Sequence, residues 1–352
     1  MAIRVAVVGI GARGLDWVRE VRAAPAFELV ACVDTDPDAL QQARARFGVA
    51  SAQCFTNLEK ALNVNHCDAV IVATPADCHS TACEAALSRK LAVLVEKPFT
   101  LELADAGRLV SLAEKNSTPL LVAQNYRYLR SFRTAKRLIA AGLLGQLGMV
   151  VCHYYRPFHR MAASLARLPN SVLWGISVHH LDVLRYLLGE EVTSVTADSF
   201  TLPWGRLPRG ASLQLMLSTA GETRVSYSAT YESTGHRLFE GGQEFYARFI
   251  GERATLHIFQ RWLILWENGK LPRLVRRGRR EKTEERILLD QLECALIHGE
   301  EPEISGHDNL QTVAILEACV RSAAEERPIN PQDLLNEQQK QLRQFVSAGN
   351  RR

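Results

Sequence analysis

The chain has 352 residues, 47% apolar and 23% charged, close to the average of globular proteins. At about 150 residues per domain this length suits two domains, whose cores are large enough to need no disulfide or metal staple. Lys and Arg number 42 against 38 Asp and Glu, a formal charge of +4, which is too small an excess to point to nucleic acid. No apolar run reaches the roughly 18 residues of a membrane span. The start of the chain reads as a strand running into a glycine turn and not as an export signal, so a cytoplasmic protein without a membrane partner is expected. The eight cysteines are scattered, with no CxxC pair and no zinc spacing; reduced thiols and no metal site are expected.

In chain order, Ile3 to Val8 is a short β-branched run of the kind a buried parallel strand shows. A glycine turn and a helical pattern through Ala24 follow. Phe27 to Val33 is a second strand, and Asp36-Pro37 opens a helix, with Asp36 as its cap. Ala69 to Ala73, Ala92 to Val95 and Pro119 to Ala123 are further strands, with helices to about Ser88 and over Leu101 to Lys115 between them. This alternation predicts a doubly wound parallel sheet over residues 1–124. After Gln124 the character changes. A helix over about Phe132 to Ala141 precedes alternating segments: Met149 to Tyr155, Val192 to Leu202, Ser212 to Ser218, Thr223 to Tyr231, Glu244 to Ile250 and Ala254 to Phe259. These predict a large, mostly antiparallel sheet, with helices over Glu284 to His298 and Asp308 to Glu325, in an α+β domain over residues 125–352. The basic cluster Arg273, Arg276, Arg277, Arg279, Arg280 and Lys282 has no interleaved aromatics and reads as a solvated loop.

Gly9-Ile10-Gly11-Ala12-Arg13-Gly14 lies between a predicted strand and a predicted helix. Gly9 permits a tight turn, Gly11 lets a pyrophosphate approach the backbone, and Gly14 lets helix and strand pack closely. Asp34, twenty residues on at the end of the second strand, can accept hydrogen bonds from an adenosine ribose diol and would repel an additional phosphate, which favours NAD over NADP. Lys97 falls at the carboxyl end of a parallel strand, where such sheets bind their ligands. An ammonium there can bond a substrate hydroxyl or carbonyl, and burial would lower its pKa. A surface lysine is the competing reading.

The sequence resembles the Gfo/Idh/MocA family, named for glucose–fructose oxidoreductase and inositol dehydrogenase. The resemblance rests on the glycine turn, Ala73-Thr74-Pro75 with His79 beyond it, Glu96-Lys97-Pro98, Gln124-Asn125-Tyr126-Arg127, Gly142 to Gly145, the His179 region and Ser305-Gly306-His307-Asp308, in that order. It implies a cofactor site including Thr74, Pro75, His79, Glu96 and Lys97, with a tight and often cis turn at Pro98. It also implies that Lys97 shares the proton of the reacting oxygen. His179 and Asp182 match the family's final His-x-x-Asp, implying a general base and the carboxylate that orients it three residues on. The family's preceding Asp falls here on Gly175, and His180 reads as a core neighbour. Tyr126 and Arg127 should lie near the substrate, with a structural ion pair as the alternative for Arg127. Tyr155 and Arg156, in a cluster with Tyr154 and His159, are further candidates for the substrate pocket. The implied function is NAD-dependent oxidoreduction of a secondary hydroxyl or carbonyl on a sugar, cyclitol or related polyol, by a homodimer or homotetramer. Two alternatives stay open: a non-catalytic, dinucleotide-binding regulatory or scaffold protein, which Gly175 favours, and a glycosidase that retains its NAD.

Overall fold

The structure is a computed structural model, which describes residues 2–64, 66–157, 167–207, 210–234, 244–279 and 281–349, with the side chains of 345–349 left aside. His159 and Arg280 lie outside the described residues. The chain forms two compact units. The first comprises Met1–Asn125, Lys282–Val313 and Gln338–Arg352, and the second Tyr126–Glu281 and Ala314–Glu337.

The first unit holds a six-stranded sheet of β1 (Ile3–Val8), β2 (Phe27–Val33), β3 (Cys54–Phe55), β4 (Ala69–Val72), β5 (Ala92–Val95) and β6 (Leu120–Val122). Their order is β3-β2-β1-β4-β5-β6, and every neighbouring pair is parallel. The central strands are apolar on both faces, because helices cover both. These helices include α1 (Ala12–Ala23), α2 (Pro37–Phe47), α3 (Leu58–Val64), α4 (His79–Leu87) and α5 (Leu103–Lys115). As expected from the sequence, Asp36 caps α2 by accepting from the Asp38 N–H, and Gly48 ends it in the left-handed region. The strand order reverses at β1 and β4, so the crevice outside their carboxyl ends is the place for a ligand. β3 and α3 escape the sequence reading: β3 is two residues long and α3 buries only Ala61 and Leu62.

In the second unit α6 (Arg130–Ala140) and α7 (Val178–Leu188) accompany an eight-stranded sheet. Its strands are β7 (Leu147–Tyr155), β8 (Val192–Phe200), β9 (Ser212–Thr219), β10 (Arg224–Thr230), β11 (Glu244–Gly251), β12 (Ala254–Phe259), β13 (Trp262–Glu267) and β14 (Arg273–Val275). The order β14-β13-β12-β11-β7-β10-β9-β8 is antiparallel throughout except for β7 and β10, which run parallel. Alternation sets one face inward: Val150, Cys152 and Tyr154 on β7, and Val225, Tyr227 and Ala229 on β10, are buried. The sequence reading omits β13 and β14. β13 carries the unbroken apolar run Trp262 to Trp266, and β14 takes Arg273 out of the supposed basic loop and places it on Glu267. Lys282 pairs with Asp290, so the cluster is partly neutralised where it stands.

Three late helices follow: α8 (Glu284–His298), α9 (Gly306–Glu325) and α10 (Pro331–Gly349). Residues 282–313 and 338–352 group with the first unit and 314–337 with the second, which a single division at residues 124 and 125 does not describe. The cause lies at the sheet edge. The Val122 N–H donates to the Ile304 carbonyl at 2.9 Å, and Leu121 bridges Ser305, so a segment far along the chain extends β6.

Leu94 lies on the middle of β5 with 0% exposure. Leu94→Ala should therefore cost about 2–5 kcal/mol in urea unfolding. A loss below about 1 kcal/mol would show that this core can collapse around the missing side chain.

Candidate active site

At the end of β1 the glycines are sterically obligatory. Gly9 has φ +86°, and a Cβ on it would lie 2.5 Å from the Thr74 nitrogen; a Cβ on Gly14 would lie 1.8 Å from the Gly9 carbonyl oxygen. α1 and β1 can meet this closely only without side chains. A Cβ at Gly11 would meet nothing within 4 Å. Gly11 is also the N-cap of α1 and supplies no side-chain cap, so free backbone N–H groups face open space suited to a pyrophosphate. The Ile10 N–H donates to Asp34 Oδ2 at 2.6 Å and the Asp36 N–H to Oδ1 at 2.9 Å. The Asp34 carboxylate is thereby fixed beside the glycine turn.

The loops after β4, β5 and β6 share the same edge of the sheet. Lys97 follows β5, half-buried, through a cis bond to Pro98. Burial pushes its ammonium below the usual lysine range, with the Glu96 carboxylate opposing and Arg13 assisting. Two residues assigned to the cofactor prove to serve each other. Glu96, 6% exposed, accepts from Arg13 Nε at 3.0 Å, from its terminal nitrogen at 2.7 Å and from Trp17 Nε1 at 2.9 Å. Arg13 also reaches Glu285 at 3.2 Å. His79 lies between two backbone carbonyls, its Nδ1 2.8 Å from that of Pro98 and its Nε2 3.0 Å from that of Thr74, and as a neutral ring it donates to one of them. It thus sits between the loops that carry Thr74-Pro75 and Lys97. Burial holds its pKa low, against the pull of those carbonyls. Thr74 Oγ1, both amide atoms of Gln124 and Asn125 Oδ1 are buried without a partner in the protein. Buried polar groups are ordinarily satisfied. These atoms follow β4 and β6, where a bound dinucleotide's nicotinamide end would complete them. Gln124 and Asn125 went unassigned in sequence, although they open the Gln-Asn-Tyr-Arg motif.

In the second unit residues Leu173–Ser177 wind as a π-helix that leads into α7, an irregularity frequent at functional sites. His179 follows it, buried, with its ring stacked on Tyr126 at 4.0 Å between centroids and 11° between planes. The two oxygens of Asp182 take Arg127 Nε at 2.7 Å and the Arg127 terminal nitrogen at 2.6 Å. Arg127, 3% exposed, thereby anchors α7 through the structural ion pair that the sequence left open for it. Tyr155 is also displaced from its assigned role. It points to the outer face, where its hydroxyl lies 2.8 Å from Ser228 Oγ, while Tyr154 lies inward beside His180. Arg156 resumes the inward direction. Burial raises the pKa of Tyr126, Tyr154 and Tyr231, and the Arg156 charge opposes the rise in each. Beneath them Tyr227 donates to Ser177 Oγ at 2.9 Å and lies 2.9 Å from His180 Nδ1. Burial pushes His180 down to about 3, so its ring is neutral, consistent with a core neighbour. Tyr227, Tyr231 and Ser177 carried no sequence signal beyond strand alternation and the helix pattern.

Two family models match the chain: "Oxidoreductase family, NAD-binding Rossmann fold" over residues 3–124, and "GFO/IDH/MocA C-terminal domain" over residues 132–257. A D-apiose dehydrogenase from Paraburkholderia graminis is 24% identical over 94% of this chain and 90% of its own length. An inositol 2-dehydrogenase from Corynebacterium glutamicum is 31% identical over 55% of this chain and 56% of its own. Among solved structures, an oxidoreductase from Agrobacterium radiobacter, in complex with NAD+, L-tartaric acid and magnesium, superposes with a TM-score of 0.85 at 21% identity, covering 95% of this chain and 100% of that one.

The carboxylate at position 34 should make NAD(H) bind more tightly than NADP(H) in titrations of both, and Asp34→Ala should narrow the gap chiefly by weakening NAD(H). Equal affinities in the unaltered protein would contradict this. His180 yields a second expectation. Below its ordinary 6.5 the unfolded chain takes up a proton that the folded chain refuses until about pH 3, so stability falls as pH falls through that window. Unfolding midpoints measured against pH should fall less steeply in His180→Phe; an unchanged slope would assign the acid sensitivity elsewhere.

Proposed function

The chain belongs to the GFO/IDH/MocA family of NAD-binding oxidoreductases, and from that premise we propose that it interconverts a secondary hydroxyl and a carbonyl on a sugar, cyclitol or related polyol. The observation that carries this reading is Lys97: a half-buried ammonium of lowered pKa at a strand's carboxyl end, on the same edge as the incompletely bonded Thr74 and Gln124. The D-apiose and inositol dehydrogenases among its relatives support the substrate class.

When bound, NAD+ supplies the hydride acceptor: the substrate's C–H hydrogen leaves with both bonding electrons, and the carbinol becomes a carbonyl. The protein's part is to hold the substrate and move one proton. Lys97 donates a hydrogen bond to the reacting oxygen and stabilises the negative charge that develops there. His179, held flat against Tyr126, takes the hydroxyl proton in oxidation and returns it in reduction. Asp182 acts one step removed, by locking Arg127 and with it the start of α7. The aromatic outer face of the eight-stranded sheet exposes Met216, Trp262, Trp266 and Leu274, and we assign it to a second copy of the chain in a homo-oligomer.

Lys97→Ala should abolish NADH formation while leaving NAD affinity nearly unchanged. His179→Ala should lower kcat on the order of 100-fold to 10,000-fold. Full activity in Lys97→Ala would remove the support for this chemistry.

A further inference from the structure

Resting on the oxidoreductase reading above, we propose that Tyr227 is a positioning residue of the site: its hydroxyl, held between Ser177 and His180, locks the π-turn Leu173–Ser177 and thereby sets the direction of the His179 ring. Tyr227 lies on β10 between β7 and β9, opposite Cys152 and Leu215, and points inward. A phenylalanine would fill the same volume. The hydroxyl is what packing leaves unexplained, and a buried hydroxyl is costly unless it is bonded. It makes two bonds, both to one stretch of helix. It donates to Ser177 Oγ at 2.9 Å. With that proton given away, the phenol oxygen accepts from His180 Nδ1, also at 2.9 Å, which fixes the tautomer of a neutral imidazole. Burial holds His180 down to about 3 and Tyr227 well above the ordinary tyrosine range, so both stay neutral, as this pattern requires. Ser177, His180 and Tyr227 are all buried, so bulk water does not compete for these bonds.

The places of the two partners decide what these bonds do. Ser177 is the last residue of the π-turn, and His180 stands three residues on, at the start of α7 and on the same face of the helix. One hydroxyl therefore staples the exit of the π-turn to the first turn of α7. A π-turn is rare and holds one residue more than an α-turn. That residue rotates everything after it by about 100°. His179 is the second residue beyond the turn, so its direction depends on whether the turn keeps its extra residue. His180 faces the sheet, against Tyr154 and Phe245. His179 is turned away by one helical step, onto the ring of Tyr126. The other anchor of α7, the pair of Asp182 with Arg127, lies beyond His179. That pair fixes the helix after His179, and Tyr227 fixes the turn before it. His179 is thus held between two buried points, which a ring that must meet a reacting oxygen in one direction requires.

The test has one arm that needs no turnover. In protein labelled with 13C on its histidine rings, the His179 ring-proton signal, assigned by its loss in His179→Ala, should lie upfield because the ring sits over Tyr126. Tyr227→Phe and the milder Ser177→Ala should each move that signal downfield. Ser177→Thr, which keeps a hydroxyl, should return it part of the way. Ser228→Ala, at the adjoining outward position of β10, should leave it in place. The second arm follows NADH formation from NAD+ with myo-inositol, D-apiose and D-glucose. Tyr227→Phe should lower kcat about tenfold or more with NAD+ affinity unchanged, the effect of a misplaced group and not of a lost one. The double variant of Tyr227→Phe with Ser177→Ala should lose no more than the worse single one, because both remove the same bond. A His179 signal that stays in place in both single variants, an equal movement in Ser228→Ala, additive losses in the double variant or an unchanged kcat in Tyr227→Phe would overturn the positioning role and leave the oxidoreductase reading standing. If no compound yields NADH with the unaltered protein, that reading fails, and the histidine signal alone decides this one.

Discussion

Glu96 sits at the end of β5 and gathers three N–H groups on one carboxylate oxygen, two from Arg13 and one from Trp17. A buried carboxylate is costly unless its partners are close and well directed. Here the partners come from α1, the helix whose N-terminus faces the proposed pyrophosphate position. One interaction therefore fixes both the helix that receives the cofactor's charge and the strand end that presents Lys97. Glycine makes the approach possible: α1 can lie this near to β1 only because Gly14 has no side chain to meet the Gly9 carbonyl. His79 then sits between the loops after β4 and β5, within hydrogen-bond distance of a carbonyl of each and with one N–H to give. The loop carrying Lys97 is thus held on both sides, as preorganisation requires.

The second unit uses the same device with different residues. Arg127 and Asp182 form a buried, two-pronged pair between the start of the unit and α7. The preceding π-helix shifts the helical phase just before His179, and Tyr126 fixes the resulting ring position by stacking. In each unit an ion pair with at least one buried partner holds the scaffold next to a residue proposed for the chemistry. This division accounts for the charged residues that sequence assigns to ligands and the structure assigns to each other: Arg13 with Glu96, and Arg127 with Asp182.

Residue spacing carried the glycine turn, Asp34, Lys97 and the cap at Asp36, because each expresses a local requirement. A tight turn, a strand end or a first helical turn involves residues near one another in the chain, and its chemistry can be read there. The parallel strands were legible because burial on both faces makes them uniformly apolar. The antiparallel strands were legible through alternation, with boundaries off by one or two residues. β3 was too short to have a period, and β13 showed an apolar run where alternation was sought.

Partnership was not legible. Whether a buried arginine meets a substrate or an aspartate depends on a residue 55 positions away, and Glu96 meets Arg13 across 83 positions. Pairings at that separation leave no periodicity and no spacing rule, because the intervening chain can have any path. The inward position of Tyr154 over Tyr155 needed the register of β7 against its neighbours, since a one-residue slip reverses every side chain. The return of residues 282–313 to the edge of the first sheet needed a free strand edge whose hydrogen bonds that segment completes. The sequence by itself determined the kind of fold, the cofactor turn and the lysine at the strand end. Tertiary structure decided which charges neutralise one another, because that outcome depends on distances that only the folded chain sets.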